Sequence, residues 1–234
     1  MLSYGVSTGA VEGIAKVFVA VAALAAVTLS SPAFAQNATG GDAKPIKLAV
    51  LGDSLTAGYG LPSSDAFPAK LQRALQAKGV AVEVINAGVS GDTTSAGLAR
   101  LDWSIPKDAD AVIVELGAND ALRGVDPQTS RASLDAILKK LKARNVSVLL
   151  CGMLAPPNYG TEYASKFNAI YPDLAKAYDV PLYPFFLEGV AAIAKLNQPD
   201  GIHPTSAGID VIVARILPTV EALLKDRSVQ KKSP

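Results

Sequence analysis

The chain contains a single histidine, His203, and an aspartate lies three residues before it. In the segment Asp200-Gly201-Ile202-His203, a turn would bring the carboxylate within reach of the imidazole Nδ1–H. That contact fixes the tautomer and leaves Nε2 free to accept a proton, as a general base must. Taken alone, the same spacing is more often a helix cap beside a surface histidine, so the chemistry depends on finding a nucleophile elsewhere.

The candidate nucleophile is Ser54, in the sequence AVLGDSLTAGYG at residues 49–60. An apolar run ends at Gly52, and Asp53 and Ser54 follow side by side. A serine in that place could be a turn residue, a phosphate ligand or a nucleophile. The segment lacks the Gly-Lys-Ser/Thr ending of a P-loop and the Gly-x-Gly-x-x-Gly of a dinucleotide site, which argues against nucleotide binding. A receiver domain is disfavoured because Asp53 stands alone and Glu115 lies inside a strand.

The chain offers few metal ligands of the nitrogen and sulfur type. One histidine and one cysteine are too few for a zinc site, and we expect neither a metal nor a cofactor. Cys151 has no partner for an internal disulfide. Its place at the end of the apolar run VSVLLC favours a small buried hydrophobic residue over a catalytic thiol.

Strands and helices alternate along the chain. Apolar runs predict five strands, at residues 46–52, 82–88, 111–117, 146–152 and 180–186. Helical spacing of apolar residues predicts helices at 67–79, 92–103, 127–145, 161–179 and 203–225. Pro172 is expected to interrupt the fourth helix, and Pro218 to bend or restart the last. This alternation predicts an α/β fold, namely a flavodoxin-like three-layer α/β/α sandwich with a five-stranded parallel sheet.

Ligands bind such sheets at the carboxyl ends of the strands. The loops expected there contain Ser54, Gly91 and Asn119, and residues 200–203 follow late in the chain. All the candidates are therefore expected at one edge of the sheet. Together they could supply a nucleophile, a base, an orienting acid and hydrogen-bond donors.

Four sequence blocks carry a resemblance to a known family. They are Gly52-Asp53-Ser54-Leu55, Gly91, Gly117-Ala118-Asn119-Asp120 and Asp200-Gly201-Ile202-His203. In this order they resemble the four blocks of the GDSL, or SGNH, hydrolases, and the resemblance extends from about residue 47 to residue 224. The segments VELGANDALRG, PPNYG and DGIHP are similar to those of periplasmic members with acyl-CoA thioesterase, lysophospholipase and arylesterase activity.

The resemblance implies a role for each block. Ser54 would be the nucleophile, and Asp200 and His203 would complete a Ser-His-Asp triad that works through an acyl-enzyme. The backbone N–H groups of Ser54 and Gly91 and the side-chain amide of Asn119 would form the oxyanion hole. Because His203 must be neutral to act as a base, activity is expected to rise with pH through about 6.5.

Three residues in or next to these blocks are expected to have a structural and not a catalytic role. Asp53 is expected to be a loop carboxylate that accepts backbone N–H bonds, and Asp120 a cap. Gly88 is expected to serve the turn that leaves its strand. Gly91 can adopt the positive φ that aims an N–H at a tetrahedral centre.

An apolar loop follows the fourth strand, and the resemblance implies that it borders the acyl chain. Its candidate substrate-binding residues are Met153, Leu154, Pro156, Pro157 and Tyr159. We therefore expect a small-molecule acyl ester or thioester as substrate. The alternatives are a carbohydrate acetyl-esterase of the same fold and a non-catalytic periplasmic binding module.

The N-terminal region has the features of a secretory signal peptide. Lys16 precedes an apolar run at residues 17–29, and Ala33-Phe34-Ala35 forms an A-x-A site. We predict a signal peptide at 1–35 with cleavage after Ala35, a linker at 36–45, the hydrolase domain at 46–228 and a polar tail at 229–234. The protein is then expected in the periplasm or outside the cell. The run is short for a membrane span, and the alternative is an uncleaved anchor.

The charge balance bears on partners. The formal net charge is +1, which provides no basic surface for a nucleic acid. We expect no nucleic-acid partner, no stable membrane insertion after signal cleavage, and a soluble monomer.

Overall fold

A computed structural model describes residues 44–230, with side chains up to residue 226. The predicted signal peptide, most of the linker and the end of the polar tail lie outside these residues. Within them, five strands form one sheet: β1 (Ile46–Gly52), β2 (Val82–Gly88), β3 (Ala111–Glu115), β4 (Ser147–Cys151) and β5 (Leu182–Tyr183).

The sheet is parallel, with the strand order β2-β1-β3-β4-β5. The predicted α/β sandwich with a five-stranded parallel sheet is therefore confirmed. The chain reverses its direction of winding between β1 and β3, and in this topology the crevice at their carboxyl ends is the usual ligand site. Gly52 at the end of β1 pairs with both Gly88 and Glu115, so three strands end side by side.

The position of each strand in the sheet explains its sequence pattern. All five residues of β3, a central strand, are buried, which explains the apolar run at residues 111–114. In the edge strand β2, by contrast, only Val82 and Ala87 are buried. The predicted strand at 180–186 is shorter than expected, because Pro181 and Pro184 flank Leu182–Tyr183 and neither proline can donate to a ladder.

Eight α-helices cover the two faces of the sheet within the described residues. They are α1 (Ser54–Ala57), α2 (Phe67–Ala77), α3 (Thr94–Ser104), α4 (Ala118–Leu122), α5 (Pro127–Ala143), α6 (Gly160–Asn168), α7 (Ile170–Tyr178) and α8 (Ser206–Gln230). Helix α2 packs against α8, while α5 packs against α3 and α7. In the part of the chain described here, no helix is both long and apolar enough to cross a bilayer.

Each of the five predicted helical regions is helical, but the region 161–179 forms two helices and several boundaries differ. The break in the region 161–179 falls at Ala169, three residues before Pro172, because a proline ring clashes with the carbonyl four residues before it. Helix α8 continues through Pro218 without the expected restart. It begins at Ser206, and Pro204 instead forms an isolated bridge with Asn197.

Two short helices, α1 and α4, were not predicted and are the elements that carry Ser54 and Asn119. Each follows a central strand directly, so both residues lie at the carboxyl edge of the sheet. Helix α1 lies so close to the end of β2 that a Cβ at Gly88 would collide with the backbone of Ala57. The close approach of this helix therefore requires a glycine at position 88.

Candidate active site

Ser54 is the first residue of α1, at a sharp turn from strand to helix. The Asp53 carboxylate caps this helix by accepting the Leu55 N–H through Oδ1 at 3.0 Å, and Gly58 ends it in the left-handed conformation. The expectation that Asp53 accepts a backbone N–H is confirmed. Since Ser54 lies in the first turn, its own N–H has no partner inside the helix and is free for another acceptor.

A chain of hydrogen bonds links Ser54, His203 and Asp200. The Ser54 Oγ lies 2.9 Å from His203 Nε2, and His203 Nδ1 lies 2.7 Å from Asp200 Oδ2. In the neutral tautomer with the proton on Nδ1, the imidazole donates to Asp200 and its Nε2 accepts from the Ser54 hydroxyl. The structure thus brings together three residues that are up to 149 positions apart in sequence.

The turn at residues 200–203 is held by its own aspartate. Asp200 Oδ1 accepts the backbone N–H groups of His203 at 3.0 Å and Ile202 at 2.9 Å, and Gly201 provides the positive φ of +72°. These bonds, first that from the His203 backbone and then that from its ring, lower the pKa of Asp200 to about 2. The carboxylate is therefore charged at any pH at which a histidine can act as a base.

The other two expected oxyanion donors, Gly91 and Asn119, lie on the loop after β2 and on helix α4. Gly91 has a φ of +88°, a conformation that favours glycine. The Asn119 amide Nδ2 donates to the Asp92 carbonyl at 3.0 Å and to Asp53 Oδ2 at 3.3 Å. Asn119 is thereby fixed both to the loop that contains Gly91 and to the cap of the helix that contains Ser54.

Two arginines, Arg100 and Arg123, fix the segments that contain Gly91 and Asn119. Arg123 Nη2 donates to the Gly91 carbonyl at 3.0 Å and to Asn119 Oδ1 at 3.4 Å. The buried Arg100 pairs with the Asp92 carboxylate and donates to the carbonyls that end β1 and β2, those of Gly52 and Ala87. A buried cation with this many partners fixes the loop relative to the sheet.

Two buried carboxyl groups lie behind the nucleophile. Burial raises the pKa of Asp53 to about 6, although the hydrogen bonds from Leu55 and Asn119 oppose the rise. Glu115, at the end of β3, is fully buried, and neither oxygen of its carboxyl group has a hydrogen-bond partner among the described residues. Burial, and then the charge of Asp53, raise its pKa well above the ordinary value. The pair therefore holds a proton under conditions in which exposed carboxyl groups are charged.

Asp120 joins three helices instead of capping its own. Its carboxylate accepts the Thr94 N–H at 2.8 Å, the Thr94 hydroxyl at 2.6 Å and the Ser130 hydroxyl at 2.8 Å. Thr94 begins α3 and Ser130 lies in α5, so the carboxylate caps a different helix from the one that contains it. The expectation that Asp120 is a cap is confirmed, but the helix that it caps is α3 and not its own helix α4.

An apolar cavity of about 190 Å³ opens beside the triad. Leu55 and Ile202, the chain neighbours of Ser54 and His203, form part of its wall. The other lining residues are Ala118, Ala121, Leu122, Met153, Leu154, Pro156, Phe185, Leu187, Ala191, Ala192, Asn197 and Gly201. Of the five predicted substrate-binding residues, the cavity is therefore lined by Met153, Leu154 and Pro156.

Pro157 and Tyr159 do not line this cavity. They belong to a single turn of 3₁₀-helix, and the Tyr159 hydroxyl donates to the Leu122 carbonyl at 3.0 Å. The Tyr159 ring also covers Gly124, where a Cβ would collide with it. Through these contacts Tyr159 supports the end of α4 and the loop that follows it. Leu122, the last residue of α4, is part of the cavity wall.

Among residues 44–226, no three His, Cys, Asp or Glu side chains are grouped so as to hold a metal ion. Cys151 is buried, as predicted, and burial raises the pKa of its thiol. It lies beside Glu115 in the sheet and away from the hydrogen-bonded chain at Ser54.

Sequence reasoning missed several residues that contact the site. Tyr59, Arg100 and Arg123 touch His203, Asp92 and Asn119 respectively. The only signal for Tyr59 and Arg123 was that each lies a few positions after a block residue, Ser54 or Asn119. For Arg100, in the middle of a predicted helix, there was no such signal.

Comparison with known proteins places this chain in a family. Residues 50–211 match the model of the GDSL-like Lipase/Acylhydrolase family. The chain is 39% identical to the esterase TesA of Pseudomonas aeruginosa over 202 residues, which cover 86% of this chain and 96% of that protein. It is 48% identical over 158 residues to Thioesterase 1/protease 1/lysophospholipase L1 of Escherichia coli, covering 67% of this chain and 74% of that protein.

Comparison with a solved structure also supports membership of this family. The crystal structure of AlinE4, an SGNH-hydrolase family esterase, resembles this fold with a TM-score of 0.66 and 45% sequence identity. The match covers 79% of this chain and 99% of AlinE4. Taken with the family match over residues 50–211, it shows that this chain belongs to the GDSL-like lipase/acylhydrolase family and has the SGNH-hydrolase fold.

Proposed function

We propose that this protein is a serine hydrolase that cleaves acyl esters and thioesters through an acyl-enzyme on Ser54. The observation that carries the proposal is the unbroken chain of hydrogen bonds from the Ser54 hydroxyl through His203 to Asp200, beside an apolar cavity. The names of the relatives, an esterase and a thioesterase with lysophospholipase activity, support this substrate class.

The geometry supports the usual two-step mechanism. His203 Nε2 accepts the Ser54 proton as Oγ attacks the acyl carbonyl, and the charged Asp200 stabilises the imidazolium that forms. The imidazolium then gives the proton to the leaving alkoxide or thiolate, which departs as the alcohol or thiol and leaves the acyl group on Ser54. Water attacks the acyl-enzyme by the same route, with His203 again acting first as base and then as acid.

The oxyanion of each tetrahedral intermediate needs donors that are already in place. We assign this role to the N–H groups of Ser54 and Gly91 and to the Asn119 amide. Of the two bonds that Asn119 Nδ2 makes, the one to Asp53 is the longer, at 3.3 Å. We expect the oxyanion to replace Asp53 as the acceptor of that N–H, because a full negative charge at short range is the stronger acceptor.

The cavity favours acyl chains longer than acetyl. A volume of about 190 Å³ corresponds to roughly six water molecules at about 30 Å³ each. Its lining is almost wholly apolar, so a buried hydrocarbon chain gains hydrophobic free energy there, whereas a sugar hydroxyl would lose its partners. We assign the acyl chain to this cavity and the alcohol or thiol part to the open side of the site.

The proposal is tested by hydrolysis of p-nitrophenyl esters from acetate to palmitate and of the matching acyl-CoA series. Wild type is compared with Ser54→Ala and with Ser64→Ala, a matched control at an exposed serine ten positions further on. We expect turnover by wild type and by Ser64→Ala, none above background by Ser54→Ala, and a maximum at an acyl length beyond acetate.

The other outcomes discriminate between the alternatives. A maximum at acetate, with steep loss for longer chains, would instead support a carbohydrate acetyl-esterase. No turnover of any ester by the folded wild-type protein would support a non-catalytic binding module.

We also propose that the protein acts after export, in the periplasm or outside the cell, as a monomer. The support for export is the leader sequence with its A-x-A site at 33–35, and the formal net charge of +1 offers no basic field for a nucleic acid. In a Gram-negative host, we expect the protein in the periplasmic fraction with Gln36 as its first residue. Recovery in the membrane fraction with Met1 retained would show an uncleaved anchor, and sedimentation of the cleaved protein tests the monomer.

A further inference from the structure

The aromatic ring of Tyr59 lies against the imidazole of His203. The two ring centroids are 4.4 Å apart, with an angle of 34° between the ring planes. Tyr59 is 52% exposed, so burial in the core does not explain why a large aromatic side chain occupies this place. The contact covers one face of the imidazole, while Asp200 and Ser54 occupy the two ring nitrogens.

The backbone on both sides of this contact is fixed by one glutamine. Tyr59 follows α1, and its N–H donates to the Ser54 carbonyl at 3.2 Å. Gln198 Nε2 donates to the Tyr59 carbonyl at 2.8 Å and to the Pro204 carbonyl at 3.0 Å. The Gln198 N–H also donates to the His203 carbonyl at 2.7 Å. The turn that holds Tyr59 and the turn that holds His203 therefore form one unit.

The turn that holds Tyr59 also packs against the Gln198 side chain. A Cβ at Gly60, the residue after Tyr59, would collide with the Gln198 side chain. The turn that presents the ring to His203 is held at two residues. The backbone of Tyr59 is hydrogen-bonded, and Gly60 packs closely against the Gln198 side chain.

The chemistry of the reaction gives this contact a consequence. His203 becomes a cation each time it accepts a proton from Ser54 or from water. The face of an aromatic ring is electron-rich, and a cation within about 6 Å of its centroid is stabilised, by an amount that is larger where water is excluded. The ring also blocks rotation of the imidazole away from Ser54, which would cost orientation of the base.

We propose that Tyr59 is a positioning residue for the general base: its ring holds the His203 imidazole against Ser54 and stabilises the imidazolium that forms during catalysis. The proposal rests on the proposed function, since it assumes that His203 is the base. It assigns the role to the ring and not to the hydroxyl, for which the structure shows no hydrogen bond within the described residues.

Other groups around His203 must be separated from the effect of Tyr59. The charged and titratable groups that face the imidazole are Asp200 at Nδ1, Ser54 at Nε2 and the buried Asp53, whose charge acts on His203 at longer range. None of them is altered by a substitution at position 59. A change confined to Tyr59 variants therefore reports on the ring alone.

The test compares wild type with Tyr59→Phe, which keeps the ring, and Tyr59→Leu, which removes it. In the pH profile of kcat/KM for a p-nitrophenyl ester, we expect the acid limb of Tyr59→Leu to move to lower pH by about half a unit. We expect its kcat to fall by about tenfold with little change in KM. Tyr59→Phe should match wild type in both the rate and the position of the limb.

A second readout does not depend on activity. His203 is the sole histidine of the chain, so an untagged protein gives a single set of imidazole signals by NMR. We expect the titration midpoint of those signals to shift to lower pH in Tyr59→Leu, with loss of the ring-current shift, and both to persist in Tyr59→Phe.

The outcomes separate this proposal from the proposed function. Unshifted NMR titration and an unshifted acid limb in folded Tyr59→Leu would overturn the role of Tyr59, even if kcat fell, because a purely structural role lowers the rate without moving the limb. A wild-type protein that hydrolyses no ester would refute the proposed function, while the NMR comparison would still decide whether the ring stabilises the imidazolium.

Discussion

The candidate active site contains two aspartates, Asp200 and Asp53, and the structure places them in opposite environments. The Asp200 side chain is 38% exposed and accepts three hydrogen bonds within its own turn, which lower its pKa to about 2. Asp53 is fully buried beside a second carboxyl group, Glu115, and burial raises its pKa to about 6. The pKa of the same type of side chain is therefore moved in opposite directions within one active site.

This difference indicates that the two carboxyl groups have different roles in the active site. Asp200 keeps its charge because it is solvated and hydrogen-bonded, so it can stabilise an imidazolium at any working pH. Asp53 faces the Leu55 N–H and the Asn119 amide, not the imidazole ring nitrogens. It therefore orders the nucleophile turn and the oxyanion donor, and protonation within this pair of buried carboxyl groups limits the charge that is buried there.

Asp200→Asn tests the charged side of this comparison and has the largest expected effect. An asparagine keeps the shape of the turn but favours the wrong imidazole tautomer and no longer stabilises the imidazolium. We expect kcat to fall by roughly 1,000- to 10,000-fold with folding retained. Steady-state kinetics on a p-nitrophenyl ester measure this. Asp173→Asn, at an aspartate in an exposed ion pair, is the matched control and should keep full activity. A loss below tenfold for Asp200→Asn would contradict the assigned role.

Asn119→Ala tests the donor that Asp53 holds. Loss of one oxyanion donor is expected to lower kcat by about 100- to 1,000-fold, because the missing hydrogen bond is made mainly in the transition state. The same assay, with KM measured in parallel, distinguishes this from loss of substrate binding. An effect that appears in KM with kcat unchanged would remove Asn119 from the oxyanion hole.

Asp53→Asn tests the buried side of the comparison through stability. Because the pKa of Asp53 is raised in the folded protein, the folded state holds its proton more tightly than the unfolded state. Its contribution to stability is present below pH 3.8 and is lost as the pH rises to about 6. The loss is on the order of 3 kcal/mol. Urea unfolding across this window should show a shallower fall in stability for Asp53→Asn, and an unchanged slope would contradict the raised pKa.

Glu115→Gln has the smallest expected effect. Glutamine is nearly isosteric with a protonated glutamic acid, so we expect its stability at about pH 5 to lie within about 1.5 kcal/mol of wild type. Since the pKa of Glu115 is also raised on folding, wild type should lose more stability than Glu115→Gln as the pH rises above the ordinary glutamate pKa of 4.5. Parallel pH dependence of the two proteins would show that Glu115 is not protonated in the folded state.

The fold and the triad could be predicted from sequence because each rests on a strong local signal. The continuous apolar run of β1 and the alternation of strands with helices determine a parallel sheet, and a parallel sheet brings the residues after its strands to one edge. The contact between Asp200 and His203 spans three positions, so a single turn is enough to form it.

The rest could not be predicted because it depends on contacts between distant segments. The short helices α1 and α4, of four and five residues, are below the length at which helical periodicity can be read. The partners of Asp120, the stacking of Tyr59 on His203 and the wall of the cavity each join segments far apart in the chain. Their side chains have ordinary local sequences, and only the packed structure shows what they touch.

The central claim is that the Ser54 hydroxyl is made nucleophilic by His203 and Asp200. The most direct measurement is intact-mass and peptide mass spectrometry after brief treatment with a fluorophosphonate, which labels activated serines. We predict one adduct per chain on the peptide that contains Ser54, no adduct in Ser54→Ala, and strongly slowed labelling in Asp200→Asn. An adduct on another residue, or an unlabelled Ser54 in a protein that hydrolyses esters, would contradict the account.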